Sequence, residues 1–185
     1  VTSTLRAMAA AAASVALVFT LAACAGGGDE PTSTPTASGE ASASITTQTA
    51  CDGDEGVTLV VDATALEGGE PQEQCLLTEE AVVAGEAFTI AGVETEGTEE
   101  YGDQVVCRVE GLPAEDEAIA AEDGSDYFET CQAMPAAFAY WSVWVRTAGG
   151  EWGYAQEGLS TLQVEPGDAV GLLFTLHGEP AAPTS

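Results

Sequence analysis

Residues 139–146 read Ala-Tyr-Trp-Ser-Val-Trp-Val-Arg, a strict two-residue alternation that only a half-buried β-strand satisfies. Trp141, Val143 and Val145 fall on one face, expected to meet the core. Tyr140, Ser142, Trp144 and Arg146 fall on the other. Gly149-Gly150 and a second aromatic run, Trp152-Gly153-Tyr154, complete a β-hairpin pattern. A two-residue turn at the glycines would set Val145 opposite Tyr154. It predicts Trp141, Trp152 and Tyr154 buried, with Trp144 more exposed than Trp141. A three-residue loop would instead gather Trp144, Trp152 and Tyr154 on the outer face.

Further strands are expected over Val57–Asp62, Gln72–Leu77, Phe88–Ile90 and Gln104–Val109, the last with Val105, Cys107 and Val109 inward. Glu165-Pro166-Gly167-Asp168 is a turn that launches a final strand, Ala169–Leu176. Thr78 is placed to cap a short helix with Glu79 and Glu80 in its first turn and Gly85 as its stop. Residues 114–121 suit a helical turn or two. The expected class is α+β, mainly antiparallel β-sheet with one or two short helices.

The first 23 residues differ from the rest. Arg6 precedes an apolar, alanine-rich stretch too short for a membrane span but suited to a signal peptide. It ends in Leu21-Ala22-Ala23-Cys24, which resembles the lipobox of bacterial lipoproteins. The resemblance implies cleavage before Cys24, diacylglycerol on its thiol, and a lipid anchor on the extracytoplasmic face of the cell membrane. Residues 24–49 are Gly, Ser, Thr, Pro and Ala with few large apolar side chains, the composition of a flexible tether. Residues 50–178 form the expected globular domain, and 179–185 a disordered tail.

Four cysteines lie in that domain: Cys51, Cys75, Cys107 and Cys131. An even number in an exported domain reads as two disulfides, with three possible connectivities. Cys51–Cys75 with Cys107–Cys131 is the expected pairing, and the other two stay open. The spacing contains no CxxC, and His177 is the sole histidine, so a zinc site is not expected.

The chain carries 31 acidic residues against three arginines and no lysine, a formal charge of −28. Such a surface repels nucleic-acid phosphates and anionic headgroups, leaving a covalent or hydrophobic membrane anchor. Asp52-Gly53-Asp54-Glu55-Gly56 and Asp123-Gly124-Ser125-Asp126 begin like calcium loops but lack the required later ligands, so solvated turns are expected. No GxSxG, P-loop or dinucleotide fingerprint is present, and no enzyme activity or cofactor is expected.

From Tyr140-Trp141 through the glycine turn, Trp152, Gly158 and Pro166-Gly167-Asp168-Ala169-Val170 to Phe174, the pattern resembles the small C-terminal β-domain of transcobalamin and intrinsic factor. Val57–Asp62 and Phe88–Gly92 fit its start. The stretch from Cys51 to Gly178 is similar to a family of actinobacterial exported proteins of unassigned function. Where many relatives carry Val-Asn-Gly, this chain has Val145-Arg146-Thr147, and 130 residues leave no room for a helical barrel. The resemblance implies a binding or accessory module for corrinoid-like vitamin or cofactor uptake, completed by a transporter or helical-barrel partner. Tyr140, Trp144 and Arg146 are its candidate ligand-binding residues; the alternative is a structural or adhesive envelope module.

Lipidation has a direct test. Cys24→Ala should move the protein from the membrane fraction to the soluble one, and continued sedimentation with membranes would refute the anchor.

Overall fold

The computed structural model describes residues 44–47, 49–178 and 181–184, with backbone alone for the first segment. The expected signal peptide, Cys24 and most of the tether lie outside the described residues. No helix among the described residues is long and apolar enough to cross a membrane. The elements in chain order are β1 (Ser44–Thr47), β2 (Gly56–Asp62), β3 (Pro71–Leu77), β4 (Val82–Val83), α1 (Ala84–Ile90), β5 (Thr95–Thr98), β6 (Gly102–Val109), β7 (Ile119–Ala120), β8 (Asp126–Tyr127), β9 (Ala139–Arg146), β10 (Gly153–Tyr154), β11 (Gln163–Val164) and β12 (Ala169–Leu176).

A six-stranded sheet in the order β1-β3-β2-β12-β9-β10 organises the molecule. Its pairs are antiparallel except β2 with β12, which run parallel, Val170 facing Leu59 and Leu172 facing Val61. The sheet is therefore mixed, within a mainly β, α+β class. A parallel pair needs a long crossover, and here residues 63–168 supply it, containing α1, the three two-stranded sheets and the hairpin strands. Strand β1 lies inside the stretch expected as tether. Its backbone pairs with β3 at the edge of the sheet, so the ordered sheet begins before residue 50.

One face of this sheet builds the main core. Val57, Leu59 and Val61 of β2, Val170, Leu172 and Phe174 of β12, and Trp141 of β9 pack with Phe88, Ala84 and Ala87 of α1. Trp141 meets Phe174 edge-on at 5.4 Å and donates its indole N–H to the Leu112 carbonyl at 3.0 Å. The helix occupies residues where a strand was expected, and Thr78 does not cap it: Glu80 and Thr78 bond only within their own turn. Val83 precedes the helix and offers no side-chain cap. The orphan N–H groups of Ala84 and Gly85 instead donate to the carbonyls of Leu162 and Leu159, at 2.8 and 2.9 Å. A Cβ on Gly85 would lie 3.1 Å from the Leu159 oxygen, so glycine here admits a neighbouring backbone rather than ending the helix.

The remaining expectations fail locally for identifiable reasons. Residues 119–120 and 126–127 form a small hairpin, not helical turns; Asp123 accepts bonds from the Ser125 N–H and hydroxyl at its tip. Those bonds hold the Asp123 carboxyl below its ordinary pKa. Of the residues expected inward in β6, Cys107 and Val109 are buried, but Val105 is only half-buried and Val106 is buried in its place. Register shifts opposite Gly97 break the alternation there.

Both expected disulfides form, Cys51–Cys75 and Cys107–Cys131, each spanning 24 residues. Closing loops of that length stabilises by about 3.5 kcal/mol each in the chain-entropy account. Around the second, Arg108 is buried and its donors are divided among four acceptors. Nε donates to the Pro113 carbonyl, Nη1 to Glu96 and the Cys131 sulfur, and Nη2 to the Glu129 carbonyl. Glu129 is itself buried and accepts from the Tyr127 hydroxyl and the Cys131 N–H. Burial, and then the Glu129 carboxylate, push the Tyr127 phenol up to about 12. This network closes the irregular segment between β6 and β9.

Arg108→Ala should therefore cost about 3 kcal/mol in urea unfolding, since it removes the donors to the buried Pro113 and Glu129 carbonyls. A loss under about 1 kcal/mol would show the network to be solvated rather than structural.

Candidate functional site

The face of the sheet opposite the main core is where the candidate residues Tyr140, Trp144 and Arg146 lie, as the alternation of β9 requires. The hairpin register is not the expected one. Val145 faces Gly153 and Tyr154 faces Trp144, one residue away from the predicted pairing. Only Gly149 of the glycine pair has positive φ, at 69°, whereas the expected two-residue turn needs two such residues. The turn spans Thr147–Gly150, closed by the Gly150 N–H on the Thr147 carbonyl. Asp168 fixes it from 20 residues away: one carboxylate oxygen accepts the Ala148 N–H at 3.0 Å, the other the Glu165 N–H at 2.9 Å.

The shift puts Tyr154 on the outer face and overturns the burial expected of Tyr154 and Trp152, while Trp141 is buried as expected. Tyr154 is 45% exposed and Trp152 half-buried, while Trp144 and Trp141 are almost equally buried, at 6% and 5%. Tyr154 stacks on Trp144 at 4.2 Å between ring centroids, 24° from parallel. The Trp144 indole N–H is satisfied by Ser142 Oγ at 3.0 Å, and that hydroxyl donates to the Leu173 carbonyl. Arg146 lies over Trp152, its guanidinium carbon 4.8 Å from the ring centroid. Trp144 is thus a supporting ring; Tyr154 and Trp152 are the accessible ones. Tyr140, paired with Thr175 in the neighbouring strand, stands apart from this cluster along β9.

Sequence reasoning missed the neighbour of the cluster. Gly171, mid-strand in β12, faces Trp144. A Cβ there would lie 3.1 Å from Cγ of Pro183, 3.2 Å from Leu173 and 3.7 Å from the Trp152 ring. Within the segment expected as a tail, Pro183 is buried and lies against the sheet at Gly171, near Trp152. The available signal was Gly171 itself: glycine inside a strand weakens it and marks close approach of another group.

A second concavity, a cleft of about 640 Å³, opens between the end of α1 and the β5–β6 pair, with Thr89, Gly92, Glu94, Glu96 and Arg108 in its wall. Its arginine is already engaged by the four acceptors named above. Glu96 approaches Cys107 and Cys131, but the disulfide consumes both sulfurs as metal ligands. The Asp52–Gly56 loop is an exposed turn in which Glu55 accepts the Asp52 N–H. His177 stacks flat on Phe138 at 5.3 Å and donates its backbone N–H to that residue's carbonyl. No protein-family model, curated protein or solved structure matches the chain.

Tyr154→Ala should uncover Trp144, shifting the tryptophan emission to the red and lowering stability by about 1–2 kcal/mol through lost stacking. An unchanged emission spectrum would place the Trp144 cover elsewhere.

Proposed function

We propose that this chain is a lipid-anchored binding or accessory module on the extracytoplasmic face of the cell membrane, serving uptake of a corrinoid-like vitamin or cofactor. The observation that carries the reading is the outer-face aromatic cluster. Tyr154 and Trp152 offer accessible ring surface, Trp144 stiffens the first from beneath, and Arg146 covers the second. Flat ring systems bind by stacking on such surfaces, and a guanidinium held on tryptophan supplies a donor for a carboxylate or amide at their rim. The hairpin that carries the cluster is held by strand pairing and by the Asp168 carboxylate, so its geometry is set before a ligand arrives. A transporter or helical-barrel protein would complete the site, as the transcobalamin-like sequence pattern implies.

The alternative is a structural or adhesive module whose partner is a protein. One observation favours it: the position beside Trp152 is taken by Pro183, a polypeptide group.

A thermal-shift screen of the secreted Cys24→Ala chain against corrinoids, haem and flavins separates the two. The uptake reading expects a rise of several degrees with one ring class, abolished in Tyr154→Ala. No shift with any of the three would refute it in favour of the protein partner.

A further inference from the structure

We propose that the outer-face groove over Gly171 is a binding site for an extended, proline-containing, basic segment of a partner protein, and that residues 181–184 close it in the free chain. The inference rests on the outer face being a binding surface and names a ligand class for it.

Three observations point there. Gly171 leaves a gap in the middle of a fully paired strand, flanked by Leu173 and the Trp152 ring, and Pro183 fills it. A small pocket walled by an aromatic ring is how proline is recognised elsewhere, because the ring of proline is apolar, rigid and already extended. The segment is also loosely flanked. Clefts of about 230 and 330 Å³ lie beside it, the first between Ala181 and Thr175, the second between Thr184 and the Glu73 side of β3. Finally, the wall of the second cleft includes Asp62 and Glu73, while Ala181, Ala182, Pro183 and Thr184 carry no charge to answer them. A lysine or arginine directly after the proline would stand where Thr184 does, and would outcompete the resident segment in a chain of charge −28.

The arrangement works as a displaceable strap. The resident segment keeps the groove from exposing apolar surface, and its lack of charge beside Asp62 and Glu73 sets a threshold that a better-matched partner exceeds.

The test uses the full Cys24→Ala chain, with and without Pro183→Gly, and three synthetic peptides in calorimetric titrations. The first peptide has the sequence of residues 178–185; the second replaces the residue equivalent to Thr184 by lysine; the third replaces the residue equivalent to Pro183 by alanine. The first should bind the Pro183→Gly chain at least tenfold tighter than the unaltered chain. The lysine peptide should bind tighter still, with that gain lost at high salt. The alanine peptide should not bind the Pro183→Gly chain, while binding of the first peptide to that same chain shows it to be folded. Equal affinity for the two chains, no binding to Pro183→Gly, or binding of the alanine peptide overturns the proposal. If a ring ligand stabilises the unaltered chain while no peptide binds Pro183→Gly, this inference alone fails; if neither binds, the outer face is not a binding surface and both readings fail.

Discussion

Strand β12 is paired on both edges and apolar on both faces, and most of the architecture answers that constraint. Ala169, Val170, Leu172, Leu173, Phe174 and Thr175 are all buried, so side chains pointing either way from the strand must be covered. A strand of this kind reads as a continuous apolar run and belongs to the centre of a sheet. Here it forces two covers of different construction. The side bearing Val170, Leu172 and Phe174 receives α1 and the irregular segment held by Arg108. Among the described residues the side bearing Ala169, Gly171 and Leu173 has no helix; it is covered by the Cys51 loop, the aromatic hairpin and Pro183. The binding surface proposed above is the second cover, and it exists because the second face had to be closed without a layer of regular structure.

The parts legible in the sequence are those whose information is local. Strands β2, β9 and β12 were marked by apolar alternation or an apolar run, and the turn before β12 by Pro166-Gly167-Asp168. The two disulfides connect cysteines whose strands and loops are neighbours in the chain. The failures share a different property: a remote group decides them. Helix α1 has no capping side chain because carbonyls some 75 residues later satisfy its first N–H groups, so its start carries no local signal. The hairpin register depends on Asp168, which holds Ala148 and Glu165 together, and a Gly-Gly pair considered alone suggests the wrong turn. That single residue of slip moved Tyr154 from the core face to the outer face and made Trp144 a buried support. Tyr140, Trp144 and Arg146 therefore lie on the expected face, but the ring expected to be accessible is the buried one.

Charge divides the molecule in a related way. With 31 acidic groups and three arginines, each guanidinium has a large choice of partners. Arg108 is nonetheless committed mainly to backbone carbonyls and a sulfur, with one carboxylate, Glu96, at the margin. A buried arginine surrounded by fixed carbonyl dipoles is held by geometry, not by the net charge of its neighbourhood. It stiffens the side of the molecule that carries the 640 Å³ cleft, and so makes that cleft a poor site for anions. Arg146 lies over the face of Trp152, with its charge beside accessible aromatic surface.

The three covers of the outer face are held with very different strength. The Cys51 loop is covalently tied to β3, and the Cys51 N–H also donates to Thr58 at 3.0 Å. The hairpin is held by strand pairing, stacking and the Asp168 clamp. In residues 181–184 Pro183 is buried and Ala182 half-buried, and the segment belongs to no strand and carries no disulfide. It is therefore the cover that opens at the lowest cost. Opening exposes Gly171, Leu173 and the flank of Trp152 while leaving the stapled edge and the hairpin in place. The weakest cover therefore lies over the one gap in the central strand, and the surface it releases is already formed.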